Sequence, residues 1–421
     1  MTTSMQRRTG TPRDDRSGRL YVGSEVGVLR RLILHRPGVE LMRLTPSNKE
    51  ELLFDDVLWV DRAREEHDAF ARALSENGVE VLYLKDLLID VLQNPGVHLG
   101  LVSSTVAAAS LDPEPEFPAA EWVAAFTPAQ TASMIIGGLI WDELPFEAQG
   151  LAANVAGEAA FALPPLPNHM FTRDTSAWIY GGVTINAMAK PARTRERLHL
   201  DVIYRHHPLF AGEEHNVWSD GLDLPPQLEG GDVLVIGNGC VLVGMGERTR
   251  PVAVEALAER LFEANAARQV IAVAMPAGRA SMHLDTVLTM VDRDAFTIYP
   301  ELKGKLATYS LRPGAARVRV EREEDLFSAV ARALGLPRVR LIETGGDRYE
   351  AEREQWDDGN NVLALEPGLV VANHRNVQTN RRLREAGIDV IEIESFELSR
   401  GRGGPRCMSC PIERDALPEY S

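Results

Sequence analysis

The sequence has few cysteines, no long apolar run and no excess of basic residues. Three cysteines in 421 residues are too few for a disulfide framework, which favours a reducing compartment, so we expect a cytoplasmic protein. The most apolar stretch, residues 134–141, is far shorter than the roughly 20 residues of a membrane-spanning helix. The net charge of −16 argues against nucleic acid or an anionic membrane as a partner, because both require a basic surface.

Residues 1–18 are polar and contain no apolar run, so we predict a disordered N-terminal tail and not a signal peptide. We expect residues 19–421 to form the main α/β domain. Within it, residues 85–163 are rich in alanine and leucine and are broken by turns that contain proline. Strand signals are nearly absent there, which predicts a helical insert.

From residue 164 onwards, an acidic or polar residue, an apolar strand, a tight turn and a second strand recur, with a helix after most copies. The paired strands are predicted at 174–180 and 183–185, 232–236 and 240–243, 285–291 and 295–299, and 361–365 and 369–372. A strand, helix, strand unit over residues 26–84 makes a fifth module. Short sheets shielded by helices predict a propeller-like radial arrangement. Its inner strands would begin near one axis, which would bring Asp174, Asp232 and Asp285 together.

The C-terminal segment 401–412 carries Cys407 and Cys410 among glycines and arginines. A neighbouring arginine favours the thiolate, and glycine allows a sulfur to approach a substrate closely. The same Cys-x-x-Cys spacing also fits half of a zinc site, a redox pair or two small core residues. Cys240 stands alone in an apolar run and supplies no second pair of ligands, but the residues by themselves leave these alternatives open.

Acids and a histidine stand at the predicted strand starts. Glu229-Gly-Gly-Asp232 precedes one strand, His283-Leu-Asp285 another, and Asp174 a third. Each acid alone is more typical of a strand cap, and a lone histidine of a buried, hydrogen-bonded residue. His-x-Asp also fits two metal ligands, although no third ligand has matching local spacing. Together with a thiol, these residues form a nucleophile, an acid or base and a cation-binding clamp.

Six motifs resemble arginine deiminase, within the guanidino-modifying enzymes that include dimethylarginine hydrolases and amidinotransferases. In the family's order, the motifs are Arg43-Leu-Thr-Pro-Ser-Asn48, Leu52-Leu-Phe-Asp-Asp56, Phe171-Thr-Arg-Asp174, Leu228-Glu-Gly-Gly-Asp232, Met282-His-Leu-Asp285 and Arg406-Cys-Met-Ser-Cys-Pro411. The resemblance extends from about residue 23 to the C-terminus. It implies a five-fold pseudosymmetric α/β propeller of ββαβ-type modules with an inserted helical bundle, and a reaction without metal or organic cofactor.

The resemblance also implies which residues do the chemistry. Cys407 would be the nucleophile, His283 the general acid and base, and Glu229 the acid that supports both His283 and the guanidinium. Asp174 and Asp285 would grip the guanidinium of the substrate. Residues assigned to substrate binding, by the resemblance or by their place at a converging strand start, are Asn168, Phe171, Arg193, Arg248, Asp232, Leu53 and Arg402. Among them, Leu53 and Arg402 match mobile loop residues that help to close the site.

The implied reaction is hydrolysis of L-arginine to L-citrulline and ammonia. A hydrolase of agmatine or dimethylarginine, an amidinotransferase and, from another class, a Cys-x-x-Cys metal or redox protein are the alternatives. Arg193 and Arg248 favour arginine over agmatine, which lacks an α-carboxylate. Arg406 stands where some members have histidine and Pro405 where some have glycine, and we expect both to affect loop motion more than chemistry. The sequence leaves open whether the chain forms a homo-oligomer.

Overall fold

The computed structural model describes residues 20–108, 119–143, 160–220, 227–315 and 317–418. The tail predicted at residues 1–18 lies outside this part of the chain. The predicted α/β class is confirmed, because helices and several separate sheets alternate along the sequence. The described residues contain thirteen α-helices: Val39–Met42, Val60–Glu76, Leu84–Val91, Pro95–Ala108, Ala119–Ala125, Pro128–Gly137, Thr172–Thr175, Glu196–His206, Pro208–Ala211, Pro251–Glu263, Leu326–Leu334, Arg348–Trp356 and Val377–Glu385.

Local sequence explains the helix Val60–Glu76, which lies within the strand, helix, strand unit predicted over residues 26–84. Ala63, Phe70 and Leu74 recur at helical spacing and are buried along one side. The chain leaves the helix at Gly78, whose φ of +83° is favourable only for glycine. None of the helices in the described ranges is long and apolar enough to cross a membrane.

Six sheets are present among the described residues, and five of them have three or more strands. In hydrogen-bonded order, their strands are Tyr21–Val22, Cys410–Arg414, Leu29–Leu34 and Glu80–Tyr83; Ser176–Ile179, Gly182–Ile185 and Asn216–Ser219; Arg319–Glu323, Ala307–Arg312, Gln269–Ala274, Cys240–Met245 and Val233–Gly237; Leu288–Asp292, Ala295–Ile298 and Arg340–Glu343; Leu363–Glu366, Leu369–Asn373 and Asp389–Ile393; and Leu139–Ile140 with Phe161–Leu163.

The five larger sheets share one topology. Each contains two antiparallel strands and a third strand that follows a helix and runs parallel to the second. In one sheet this unit joins the two ends of the chain, because Cys410–Arg414 is antiparallel to Leu29–Leu34, which is parallel to Glu80–Tyr83. The prediction of a simple strand, helix, strand unit at the N-terminus missed this C-terminal strand.

Each of the five sheets contacts the next through its first strand or the turn before it. The helix Thr172–Thr175 contacts the 3₁₀ turn Gly230–Asp232, which in turn contacts the 3₁₀ turn Leu284–Thr286. This helix and the two 3₁₀ turns each precede the first strand of a different sheet. They therefore place Asp174, Asp232 and Asp285 in one region, as the sequence predicted. The five-fold closed propeller itself stays a prediction.

The structure differs from the sequence prediction in two strand pairs. Residues 85–163, predicted as a helical insert, contain helices that pack through buried apolar side chains such as Leu88, Trp122 and Ile135. They also contain the short pair Leu139–Ile140 and Phe161–Leu163, although strand signals are nearly absent in that stretch. In addition, the hairpin Ala307–Arg312 and Arg319–Glu323, which no sequence pattern predicted, forms the last two strands of the five-stranded sheet.

Candidate active site

Two glycines allow the strand starts to approach one another. A Cβ atom on Gly231 would lie 2.6 Å from the His283 ring and 3.0 Å from an Asp174 oxygen. A Cβ atom on Gly230 would lie 2.0 Å from the Arg173 carbonyl oxygen. No larger residue fits without moving these neighbours, which explains the Gly-Gly pair in front of Asp232.

His283 is held between two buried carboxylates. Its Nε2 lies 2.7 Å from Glu229 Oε2, and its Nδ1 lies 3.6 Å from Asp174 Oδ1. Burial disfavours the imidazolium, but Asp174 and Glu229 outweigh that effect and raise the pKa of His283 to about 9. Burial likewise opposes the charge on Glu229, yet the His283 contact lowers its pKa to about 2. At neutral pH, the site therefore holds a protonated histidine beside an ionised glutamate.

Asp285 is fully buried and forms an ion pair with Arg406. Arg406 Nη1 donates to Asp285 Oδ2 at 2.6 Å, Nε donates to Glu25 at 3.0 Å, and Nη2 donates to the Val233 carbonyl at 2.7 Å. The Arg406 side chain is only 1% exposed. The expectation that Arg406 affects loop motion more than chemistry stays a prediction, although these contacts add a link between Arg406 and the chemistry. Its guanidinium is fixed in the interior and directly contacts a candidate catalytic carboxylate.

Cys407 lies next to Asp285. Its thiol is 3.6 Å from Asp285 Oδ2 and 3.0 Å from Asn361 Nδ2. Burial, followed by the negative charges of Asp285 and Asp174, raises the pKa of the Cys407 thiol well above its usual range. In the absence of a cation, this sulfur is therefore a thiol at neutral pH. Asn361 was not among the predicted site residues, because one asparagine before a strand is a common turn residue.

The second cysteine of the Cys-x-x-Cys motif has different surroundings. Cys410 begins a strand, and its sulfur lies 3.4 Å from the Ser176 hydroxyl in an apolar cluster. Burial raises the pKa of its thiol. Cys240 is buried in another strand, and all three cysteines are free thiols. Of the three cysteines, Cys407 is the one whose sulfur contacts a candidate catalytic carboxylate, Asp285.

Arg193 and Arg248, predicted to hold an α-carboxylate, are paired with carboxylates of the protein. Arg193 Nη1 lies 2.5 Å from Asp174 Oδ2, and its other nitrogens contact Glu196 and two main-chain carbonyls. Arg248 Nη1 lies 3.3 Å from Glu229 Oε2, and its buried Nε donates no hydrogen bond to a described residue. Arg193 would therefore have to leave Asp174 in order to bind a substrate carboxylate.

Three other predicted substrate-binding residues support the site. Asn168 donates to the Leu52 carbonyl at 2.7 Å. The Phe171 ring faces the Phe54 ring, with ring centres 6.4 Å apart and ring planes inclined by 29°. Asp232 accepts the Leu284 amide at 2.8 Å, which fixes the backbone next to the candidate acid and base. Its role in this structure is to position that turn.

Leu53 and Arg402 lie on two loops at the edge of the site, and both have positive φ angles, 68° and 61°. The two loops meet where the Asp55 amide donates to the Arg400 carbonyl at 3.2 Å. The guanidinium of Arg402 lies over the Trp356 ring, 3.7 Å from its centre. None of its nitrogens donates a hydrogen bond to a described residue, although the side chain is buried.

The five candidate catalytic residues, Cys407, His283, Glu229, Asp174 and Asp285, are each at most 4% exposed. One ligand atom from each of Asp174, Glu229 and His283, a carboxylate oxygen or a ring nitrogen, lies within 4.8 Å of the other two, so the three could surround a cation. Asp174 Oδ1 and Asp285 Oδ1 are buried and accept no hydrogen bond from the described residues. Buried carboxylate oxygens that accept no hydrogen bond suit a ligand with several N–H donors.

A family model for arginine deiminase matches residues 50–414. Among solved structures, SxtG, an amidinotransferase from Microseira wollei, is similar with a TM-score of 0.55 and 12% identity, over 95% of this chain and 99% of that one. Unliganded AgrE gives 0.53 and 14% over 92% of this chain, which spans only 40% of the AgrE chain. DDAH from Pseudomonas aeruginosa gives 0.50 and 14%, over 91% and 99%. The structures share the fold, and the match to the family model shows that this chain belongs to the arginine deiminase family of guanidino-modifying enzymes.

Proposed function

We propose that the protein hydrolyses L-arginine to L-citrulline and ammonia through a covalent intermediate on Cys407. The observation that carries this proposal is that two buried carboxylate oxygens, Asp174 Oδ1 and Asp285 Oδ1, accept no hydrogen bond from the described residues. Asp285 lies beside the Cys407 thiol, and Asp174 lies 3.6 Å from His283. A guanidinium has five N–H donors in one plane and can bind two carboxylates at once. Bound in this way, its central carbon would face the Cys407 sulfur.

The substrate would also activate the nucleophile. Burial and nearby carboxylates raise the pKa of the Cys407 thiol in the ligand-free protein. A bound guanidinium brings positive charge beside the sulfur and thereby favours the thiolate. The thiol proton leaves to solvent, and the sulfur then attacks the guanidinium carbon. The resulting adduct is tetrahedral and neutral.

His283 would act first as an acid and then as a base. It donates its proton to the departing nitrogen, which leaves as ammonia, and a cationic S-alkylthiouronium stays on Cys407. A water molecule then attacks this carbon while neutral His283 accepts its proton. The second tetrahedral adduct expels the Cys407 thiolate and releases citrulline after losing one proton. Glu229, 2.7 Å from Nε2, keeps the ring oriented in both steps.

Arginine is favoured over agmatine by the positions of Arg193, Arg248 and Asn168. A substrate guanidinium that binds Asp174 would compete with Arg193, and a displaced Arg193 could bind the α-carboxylate, together with Arg248. We therefore propose that the substrate exchanges one ion pair for two. Because the site is buried, the loops of Leu53 and Arg402 would have to open to admit arginine.

The names of related structures support a guanidino substrate. AgrE has been solved as a cysteine-to-alanine variant with L-arginine, DDAH as a cysteine-to-serine variant with citrulline, and ArgZ is an arginine dihydrolase. Hydrolysis of agmatine or dimethylarginine, or amidino transfer to an amine, would use the same nucleophile and stays an alternative. We further propose that the five sheets close into a propeller around this site, and that the protein acts in the cytoplasm.

Incubation with L-arginine, agmatine and dimethylarginine, with assays for ureido product and ammonia, tests the proposal. We expect equal amounts of citrulline and ammonia from arginine and much slower turnover of agmatine. Mass spectrometry of quenched reactions should find the amidino adduct on Cys407. Absence of both products from arginine would refute the proposal, and faster turnover of another substrate would replace arginine with that compound.

A further inference from the structure

Asn361 holds Cys407 through both ends of its side-chain amide. Its Oδ1 accepts the Cys407 backbone N–H at 2.9 Å, and its Nδ2 lies 3.0 Å from the Cys407 sulfur. The asparagine is fully buried and precedes the strand Leu363–Glu366. The contact therefore joins the first strand of one sheet to the segment that carries the nucleophile.

The orientation of this amide follows from its partners. A backbone N–H can only donate, so the Asn361 atom that faces it must be the oxygen. The NH₂ group then necessarily points at the sulfur. A hydrogen bond from this group is stronger to a thiolate than to a thiol, and it therefore favours the charged form of Cys407.

Most other groups near the sulfur disfavour the thiolate form of Cys407. Burial and the charges of Asp285, Asp174 and Asp358 raise the pKa of Cys407, and Arg406 lowers it. Arg406 is already bound to Asp285 and Glu25, which reduces its net positive field. Among the hydrogen bonds of the described residues, the Asn361 amide is the side-chain donor to this sulfur.

We propose that Asn361 is a catalytic residue, which fixes the Cys407 sulfur in its attack position and donates a hydrogen bond to the thiolate. This assignment rests on the proposed function for the identity of the nucleophile. It adds a neutral, polar group to a site whose predicted members were a thiol, a histidine and carboxylates. The family motifs did not include it, and the sequence assigned no chemistry to residue 361, although a predicted strand begins there.

The neighbouring Asn360 offers a matched control. It is equally buried, and its amide also makes two interactions, accepting from the Thr344 hydroxyl at 2.6 Å and donating to the Thr286 carbonyl at 3.4 Å. It does not contact Cys407. Asn360→Ala should therefore cost a similar amount of folding stability as Asn361→Ala without changing the sulfur.

The test is the rate at which iodoacetamide alkylates Cys407 between pH 6 and 10, followed by mass spectrometry of the peptide that contains this residue. In Asn361→Ala, we expect the apparent pKa of the thiol to rise by roughly one unit and alkylation at neutral pH to fall about tenfold. Asn361→Asp retains the acceptor for the Cys407 amide and the side-chain shape, so it should fold even if the alanine variant does not. The aspartate variant should also raise the apparent pKa of the thiol and slow its alkylation at neutral pH. Asn360→Ala should match the wild type.

An unchanged profile in both Asn361 variants would overturn the proposal, and so would an equal shift in Asn360→Ala. With arginine, Asn361→Ala should lower kcat about tenfold or more and leave KM within about threefold, because the asparagine does not bind the substrate. The alkylation result does not depend on arginine turnover. If the wild type alkylates as expected but does not hydrolyse arginine, the proposed function fails while the role of Asn361 in holding the sulfur stands.

Discussion

Two regions of the candidate site differ in how they are stabilised: the floor, which comprises the five candidate catalytic residues and their buried partners Arg406 and Asn361, and the edge, which comprises the loops of Leu53 and Arg402 with Trp356. On the floor, His283 and Glu229 have opposite charges and lie 2.7 Å apart, and each shifts the pKa of the other. At the edge, Leu53 and Arg402 have left-handed backbone angles, and the buried Arg402 guanidinium donates no hydrogen bond to a described residue. The floor is therefore stabilised by its own charges, whereas the edge carries unfavourable features.

This difference indicates which region moves. A non-glycine residue with positive φ costs on the order of 1–3 kcal/mol, and it persists only where the surrounding structure holds it in place. Release of this strain would offset part of the cost of moving the loop. By contrast, separating the buried charges of the floor would leave each without its partner, at a cost of several kcal/mol. We therefore expect floor variants to change chemistry and edge variants to change substrate access.

The largest effect is expected on the floor, from Cys407→Ala. Loss of the nucleophile should reduce kcat by roughly 10⁴-fold or more, while the melting temperature changes little. Cys410→Ala is the matched control, because it removes a buried thiol three residues away that contacts Ser176 and not Asp285. We expect its activity to stay within about tenfold of the wild type. Substantial arginine hydrolysis by Cys407→Ala would mean that another group is the nucleophile.

Glu229→Gln should produce the next largest effect. Removing the carboxylate lowers the pKa of His283 from about 9 towards its ordinary value of about 6.5. The alkaline fall in kcat/KM, which reports the free enzyme, should then begin at lower pH, and its maximum should fall by roughly 10²-fold or more. A pH–rate profile from pH 5 to 10 measures both changes. An alkaline limb at the same pH in both proteins would show that His283 is not the acid.

The ion pair between His283 and Glu229 makes the stability of the folded protein depend on pH. The pKa of His283 is raised in the folded protein, so its contribution to stability is complete below about pH 6.5 and is lost as pH rises through about 9. Glu229 has a lowered pKa, so its contribution is complete above about 4.5 and is lost as pH falls towards 2. We expect His283→Asn to be less stable than the wild type by on the order of 2 kcal/mol between pH 4.5 and 6.5. Thermal melts at pH 5.5 and 9.5 should show this gap narrowing at the higher pH.

The sequence predicted most of the floor, because its residues stand in local patterns. Gly230-Gly231 before an acid marks a crowded strand start, and His283-Leu-Asp285 places another acid at a strand start. Arg406 and Asn361 are recognised only in three dimensions. Arg406 bonds Glu25, 381 positions away, and Asn361 bonds a residue 46 positions later. The strand Cys410–Arg414 was missed for the same reason, since no local signal reveals its partner at Leu29–Leu34.

The smallest effect is expected at the edge, as a change in KM when Trp356 is replaced. A cation over an indole face is worth about 0.5–2 kcal/mol, so Trp356 stabilises the conformation in which Arg402 lies over its ring. If Arg402 moves to help close the site around arginine, breaking this contact opposes binding. Trp356→Ala should therefore lower KM by about twofold to tenfold, because a weaker resting contact shifts the population towards the closed form. Trp356→Phe keeps an aromatic face and should lie between alanine and the wild type. Since Trp356 is 45% exposed, both variants should fold, and an unchanged or higher KM in the alanine variant would show that Arg402 does not need to leave the ring.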